Sequence, residues 1–253
     1  MQNICKIKKL VVHLQKNLSM RELKNDIKYK VTLDEDQKKV KADIYEKEIV
    51  VITGQAGSGK SLVAAQTTLD LIFKGHLDKV YVTRAAVEVG KSLGFLPGEL
   101  ATKFDPYIEA FRDNLYACYD KNKVDKHLTH LSGGEENKDK TANKTTTAKI
   151  EGIPTQYIRG KTIGNRELLI IEEAQNLTEH EMEALLTRLG KGGRIVINGD
   201  NNQRDIKESY TGLSFAIDVA KAFDEIGYHK LKSNHRSELV KKILDFKYKK
   251  VAQ

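Results

Sequence analysis

Eight consecutive residues, Gly54, Gln55, Ala56, Gly57, Ser58, Gly59, Lys60 and Ser61, match the pattern G-x-x-x-x-G-K-[ST] in full. An apolar run at 49–53 precedes them, and a segment with helical spacing at 60–74, ended by Gly75, follows. This strand, loop and helix context is what the pattern needs to mean a phosphate cradle. The glycines let backbone N–H groups turn inward around an anion, and the start of the following helix adds partial positive charge. Lys60 then reaches the β- and γ-phosphates, and the Ser61 hydroxyl is a ligand for Mg²⁺. All eight residues are candidate nucleotide contacts.

A cradle of this kind constrains the rest of the chain, because its strand has to belong to a sheet covered on both faces. The pattern agrees. Before the cradle, DEDQKKVKADIYEKE reads as a helix, with Val40 and Ile44 four apart and Asp34, Glu35 and Asp36 at its start. After it come a strand at 79–83, a helix at 101–119 with Pro106 marking a start or break, and a strand at 167–171. A helix at 179–189, a strand at 194–198, a helix at 212–223 and a basic amphipathic helix near 237–248 complete the series. Strands alternating with helices imply an α/β fold with a parallel sheet and helices on both faces. Residues 120–149 interrupt it. They are polar, rich in Lys and Thr, and read as a mobile insertion. His127 and His130 have a metal-compatible spacing there, but no Cys or further His joins them, and a solvated loop is the preferred reading.

Composition narrows the function class. The 253 residues carry a formal net charge of +8, and it sits at the ends: each of 1–30 and 230–253 holds eight Lys/Arg against two acids. Such basic flanks suit nucleic-acid phosphates, or simply a solubilising surface. The longest apolar runs fall far short of the roughly 20 residues a membrane helix needs, and the first residues lack a signal-peptide stretch. Cys5 and Cys118 fit neither a disulfide framework nor a zinc site. The expectation is a cytoplasmic protein with no membrane partner.

The cradle alone does not imply hydrolysis; Glu172 and Glu173 do. They follow the apolar run at 168–171, which brings them to the carboxyl end of a strand, where ligands bind in open α/β sheets. The first acid of such a pair holds Mg²⁺ and the second directs the attacking water. The run RIVINGD at 194–200 ends in Asp200, with Gln203 three residues on; an amide there can report the γ-phosphate, although such a pair after a strand is more often ordinary loop sequence. Thr102-Lys103-Phe104-Asp105 spells a guanine-reading T-K-x-D, but it lies at a helix start and is discounted.

An ordered series of runs closely resembles the PhoH family: TRAAVEVGKSLGFLPGELATKFDPYIEAF at 83–111, YIRGKT at 157–162, IIEEAQNLT at 170–178, LTRLG at 186–190, NGDNNQRD at 198–205 and NHRSELV at 234–240. The resemblance covers about 35–240, apart from the insertion. It implies a RecA-like P-loop fold related to the first ATP-binding domain of superfamily 1 helicases, with a basic extension at 1–34 and a basic helix or tail at 241–253. It also implies residue roles: Gln37 as the adenine-reading glutamine, Asp200 and Gln203 as the γ-phosphate sensor, and Arg236 as a finger on the transition-state charge. Arg84, Arg159 and Lys161 become candidates for RNA contact or for a neighbouring subunit's site. Two positions depart from the family pattern: Glu172 stands for the usual Asp, and Ala85 for the usual proline.

Together these readings imply an Mg²⁺-dependent ATPase with ATP as its nucleotide, coupled to RNA or single-stranded nucleic acid. The residues supply one RecA-like half, so the expectation is a homo-oligomer, a hexameric ring favoured, with Arg236 or another motif arginine lent across subunits. Two other classes stay open: an ATP-gated assembly protein with little turnover, and a small-molecule kinase.

Overall fold

The computed structural model describes residues 27–85, 100–128 and 150–240, with 242, 243 and 246 beyond them; over 100–107 it describes the backbone alone. Six strands form one sheet in the order β3-β2-β4-β5-β1-β6, and every pairing is parallel. They are β1 Ile49–Gly54, β2 Lys79–Arg84, β3 Ile150–Gly152, β4 Glu167–Glu172, β5 Arg194–Gly199 and β6 Gly227–Leu231. The helices are α1 Glu35–Glu46, α2 Lys60–Phe73, α3 Leu100–Cys118, α4 Lys121–Asp125, α5 Thr155–Ile158, α6 Glu179–Leu186 and α7 Gly212–Ala222. This is the expected RecA-like α/β architecture.

Strand alternation builds the two cores. Val50, Ile52, Val80, Val82, Leu168, Ile170 and Val196 face one side, under Val40 and Ile44 of α1, Val63 and Leu69 of α2, and Phe111 and Leu115 of α3. Val51, Leu169, Ile171, Ile195 and Ile197 face the other, under Met182 and Leu185 of α6 and Leu213 and Ala216 of α7. With both faces covered, the middle strands carry apolar residues on both faces, which is why their centres read as continuous runs. Because all strands are parallel, the carboxyl ends of β1, β4 and β5 meet on one edge.

The structure differs from the sequence reading in three respects. The insertion does not begin at 120: α4 is capped by Asp120, Val124 is fully buried, and Leu128 bridges to Ile150 of β3. Two apolar residues four apart were enough to dock this stretch on the core, and only 129–149, including His130, lies outside the described residues. Strands β3 and β6 and the short α5 were not foreseen. Helix α3 runs through Pro106 from Leu100 rather than starting or breaking there. Of the C-terminal helix, 238–240, 242, 243 and 246 are helical; most of the 1–34 extension and much of the 83–111 run lie outside the described residues. Among the described residues no helix is long and apolar enough to cross a membrane.

Candidate nucleotide site

The cradle folds as its glycines require. Gly54, Gly57 and Gly59 have φ of 153°, 86° and 83°. At Gly57 and Gly59 this is the left-handed region that side chains avoid. Space forbids a side chain as well. A Cβ on Gly57 would lie 2.5 Å from Cγ of Arg236, and one on Gly59 would collide with the amide nitrogen of Gln37. Gly59 is the N-cap of α2, so the helix start points into the loop.

A cavity of about 300 Å³ opens over this loop. Lys60, Ser61, Glu172, Glu173, Asp200, Gln203 and Arg236 all line it, together with Asn198. The sheet order explains the meeting. β5 lies between β1 and β4, so Asn198, in register with Ile52, sits beside the end of β4. Its Nδ2 donates to Glu172 Oε1 at 2.8 Å, while the Ser61 hydroxyl donates to Glu172 Oε2 at 2.7 Å. Burial pushes the Glu172 carboxyl above its ordinary value, as does the charge of Glu173, against the two hydrogen bonds and the Lys60 charge. The Lys60 ammonium donates to the carbonyls of Gly54 at 2.7 Å and Gln55 at 3.3 Å. Burial depresses it below the usual lysine range, although Asp200, Glu173 and Glu172 pull the other way.

Glu173 has φ 53° and ψ 43°, left-handed for a non-glycine residue. Such backbone is costly and persists where the surroundings hold it. Here it turns the chain from β4 into the short 3₁₀ segment Ala174–Asn176 and sends the Glu173 side chain into the cavity. Gln175, fully buried, holds the arrangement: its Nε2 donates to Glu173 Oε2 at 2.6 Å and to the Gln203 carbonyl at 3.3 Å, and its Oε1 accepts the Asp200 N–H at 3.0 Å. Gln203 Nε2 in turn donates to Asp200 Oδ2 at 2.6 Å. Sequence reasoning missed Gln175 and Asn198. Gln175 stands two residues after the acid pair, which was a usable signal; Asn198 had none.

The donor set suits Mg²⁺. Ser61 and Glu172 offer a hydroxyl and a carboxylate, hard oxygens of the kind Mg²⁺ takes one or two of, leaving the remaining positions to water and phosphate. The Asn198 Oδ1 beside Glu172 is buried without a hydrogen-bond partner. Among the described residues no cluster of three or more His, Cys, Asp or Glu forms a dedicated metal cage.

The remaining expected residues divide. Arg236 lines the cavity of its own chain, packed over Gly57. Gln37 is 1% exposed. Its Oε1 accepts the Asp34 N–H at 3.1 Å and its Nε2 donates to the Ser58 carbonyl at 3.2 Å, so it braces the loop in this structure. Arg84 ends β2 and lines a second cavity of about 320 Å³ with Glu173, Asn176, Asn202, Gln203, Arg204 and Asp205. Arg159 and Lys161 do not join the site. The Arg159 carbonyl accepts from Arg188, and the Lys161 ammonium stands 5.1 Å from the Tyr81 ring centre.

The family model for PhoH-like proteins matches residues 31–248. A PhoH-like protein of Bacillus subtilis is 34% identical over 212 residues, covering 83% of this chain and 61% of that protein. One from Mycobacterium tuberculosis is 34% identical over 200 residues, 78% of this chain and 52% of that protein. The chain thus spans between half and two thirds of the length of these relatives. Among solved structures, the large terminase of a thermophilic bacteriophage covers 85% of this chain and 50% of its own, with a TM-score of 0.50 at 13% identity, a likeness of fold.

Proposed function

The chain belongs to the PhoH family, and on that premise we propose that it binds ATP at Gly54–Ser61 and hydrolyses it with Mg²⁺, in a RecA-like domain spanning 35–240. The observation that carries this reading is the convergence of Lys60, Ser61, Glu172, Glu173, Gln203 and Arg236, from separate segments of the chain, on one cavity.

Each residue has a task its position suits. Gly57, Gly59 and the start of α2 cradle the phosphates through backbone N–H groups. On nucleotide binding Lys60 leaves the Gly54 and Gln55 carbonyls for the β- and γ-phosphates. Ser61 and Glu172 are the residues that would hold Mg²⁺, which when bound offsets phosphate charge. Glu173, oriented by Gln175, accepts a proton from the water that attacks the γ-phosphorus in line, and Gln203 lies where its amide meets the γ-phosphate. Arg236 adds charge where negative charge develops.

The test is ATPase measurement on the purified chain with and without Mg²⁺, beside Lys60→Ala and Glu173→Gln. Mg²⁺-dependent phosphate release lost in both variants supports the reading; release that persists in both overturns it.

Coupling to RNA or single-stranded nucleic acid is the favoured use of that hydrolysis. It is supported by the basic ends and by Arg84 in the cavity next to Glu173. Stimulation of hydrolysis by single-stranded RNA at physiological salt tests it. A homo-oligomer, with a six-membered ring favoured, would bring a neighbour's surface to the same edge. The alternative use of the site is an ATP-gated assembly protein of low turnover. That reading requires assembly to survive Glu173→Gln.

A further inference from the structure

We propose that His235 is a positioning residue for base recognition, acting through Asp34 on the amide of Gln37; this rests on the reading of Gln37 as the adenine-facing residue.

Three stretches distant in sequence meet here. The Asp34 carboxylate caps α1, accepting the Gln37 N–H at 2.8 Å, and Gln37 Oε1 accepts the Asp34 backbone N–H at 3.1 Å. The other Asp34 oxygen lies 3.2 Å from His235 Nε2, and the His235 backbone N–H donates to the Gly57 carbonyl at 2.9 Å. Gln37 Nε2 lies against the Ser58 carbonyl and 3.4 Å from the same His235 nitrogen. One nitrogen cannot serve both neighbours. To bond the Asp34 carboxylate, Nε2 must carry a proton, and it then has no lone pair for Gln37. The approach of Gln37 to His235 is therefore a packing contact. The ring walls the amide on one side while Ser58 holds it on the other.

The position of this cluster points to the nucleoside. Glu173, Asp200 and Gln203 mark the end of the cavity where the γ-phosphate belongs. The side chains of Gln37 and His235 stand against Gly59 of the phosphate loop, and with Asp34 they lie outside the lining residues. The His235 side chain is 49% exposed there. A carboxamide offers one donor and one acceptor together, which pairs with the N6 amine and N7 of adenine; guanine presents two acceptors on that edge. To read the base, the Gln37 amide must turn from Ser58 and Asp34. With Asp34 anchored by His235, the start of α1 stays fixed and the amide turns by side-chain torsion alone.

The experiment measures dissociation constants of the full chain for ATP, GTP and inorganic tripolyphosphate, comparing the wild type with His235→Ala, His235→Gln and Gln37→Ala. His235→Ala is expected to weaken ATP about tenfold, or about 1.4 kcal/mol, with GTP and tripolyphosphate within about twofold. His235→Gln, which keeps an N–H for Asp34, should recover most of the loss. Gln37→Ala should reproduce it, with no further loss in the double variant. Tripolyphosphate weakened as much as ATP in His235→Ala would overturn the proposal, since the residue would then only support the loop. Loss of ATP preference in Gln37→Ala but not in His235→Ala overturns the His235 step alone. Unchanged preference in Gln37→Ala overturns both that step and the reading of Gln37.

Discussion

Gln175 Nε2 lies 2.6 Å from Glu173 Oε2, and the same buried amide receives the N–H of Asp200 through its oxygen. One side chain thereby ties the carboxylate proposed to direct water to the loop proposed to sense the γ-phosphate. Replacing Gln175 by Ala should lower kcat by about 10²-fold, the scale on which misplacement of a catalytic group acts. KM for ATP should stay within a few-fold. Steady-state phosphate release checks this; a variant that loses KM instead would mean that Gln175 only supports nucleotide binding.

Glu173→Gln keeps the shape of the side chain and removes its ability to take a proton. Turnover should fall at least about 10²-fold, while the ATP dissociation constant, read by calorimetry, should change little.

Gly57→Ala places a methyl group on backbone at φ 86°, 2.5 Å from Arg236 Cγ. Strained backbone of this kind costs about 1–3 kcal/mol, and Arg236 must also move. Nucleotide affinity should drop at least tenfold, with melting temperature also lowered. Trimming the arginine as well, in a Gly57→Ala, Arg236→Ala double variant, should relieve the steric part of the melting loss but not the loss of affinity.

Away from the site, Asp70 of α2 is buried and accepts from the hydroxyls of Tyr45 at 2.7 Å and Tyr29 at 3.2 Å, with Lys41 at 2.7 Å and Lys74 at 3.3 Å. Burial alone would raise its carboxyl, but Lys41, Tyr45 and Lys74 outweigh burial and hold it below the ordinary range. A depressed carboxyl contributes stability that is present above its unfolded value, near pH 4, and lost as pH falls through the folded value. Melting temperature should therefore fall on acidification below about pH 4. Asp70→Asn should destabilise at pH 7 by about 1–3 kcal/mol and show a shallower acid-side decline. Thermal melts from pH 7 to pH 3 check both.

How much of this the sequence revealed depends on how local each rule is. The cradle was legible because one short segment contains all of its backbone demands. Glu172 and Glu173 were legible because an apolar run, 168–171, ends just before them. Asn198 was not, since its role comes from β5 lying between β1 and β4, which no local pattern encodes. β3 has three residues, too few for any periodicity, and β6 reads GYHKL, a half-polar edge strand without an apolar run. The buried pose of Gln37 was also hidden: its place as third residue of α1 makes it a capping-box partner, and the loop that covers it lies elsewhere in the chain. The meeting of Arg236 with Gly57 was not legible, since it needs β6 beside β1, which the sequence did not disclose.

The bond from the His235 N–H to the Gly57 carbonyl has a consequence in time. Synthesis runs from the N-terminus and domains fold largely in that direction, so the phosphate loop emerges long before the residues that brace it. A nascent chain that has released β1 and α2 carries the whole glycine pattern without its support from β6 and the segment beyond. The loop therefore gains this brace only after residue 235 has left the ribosome.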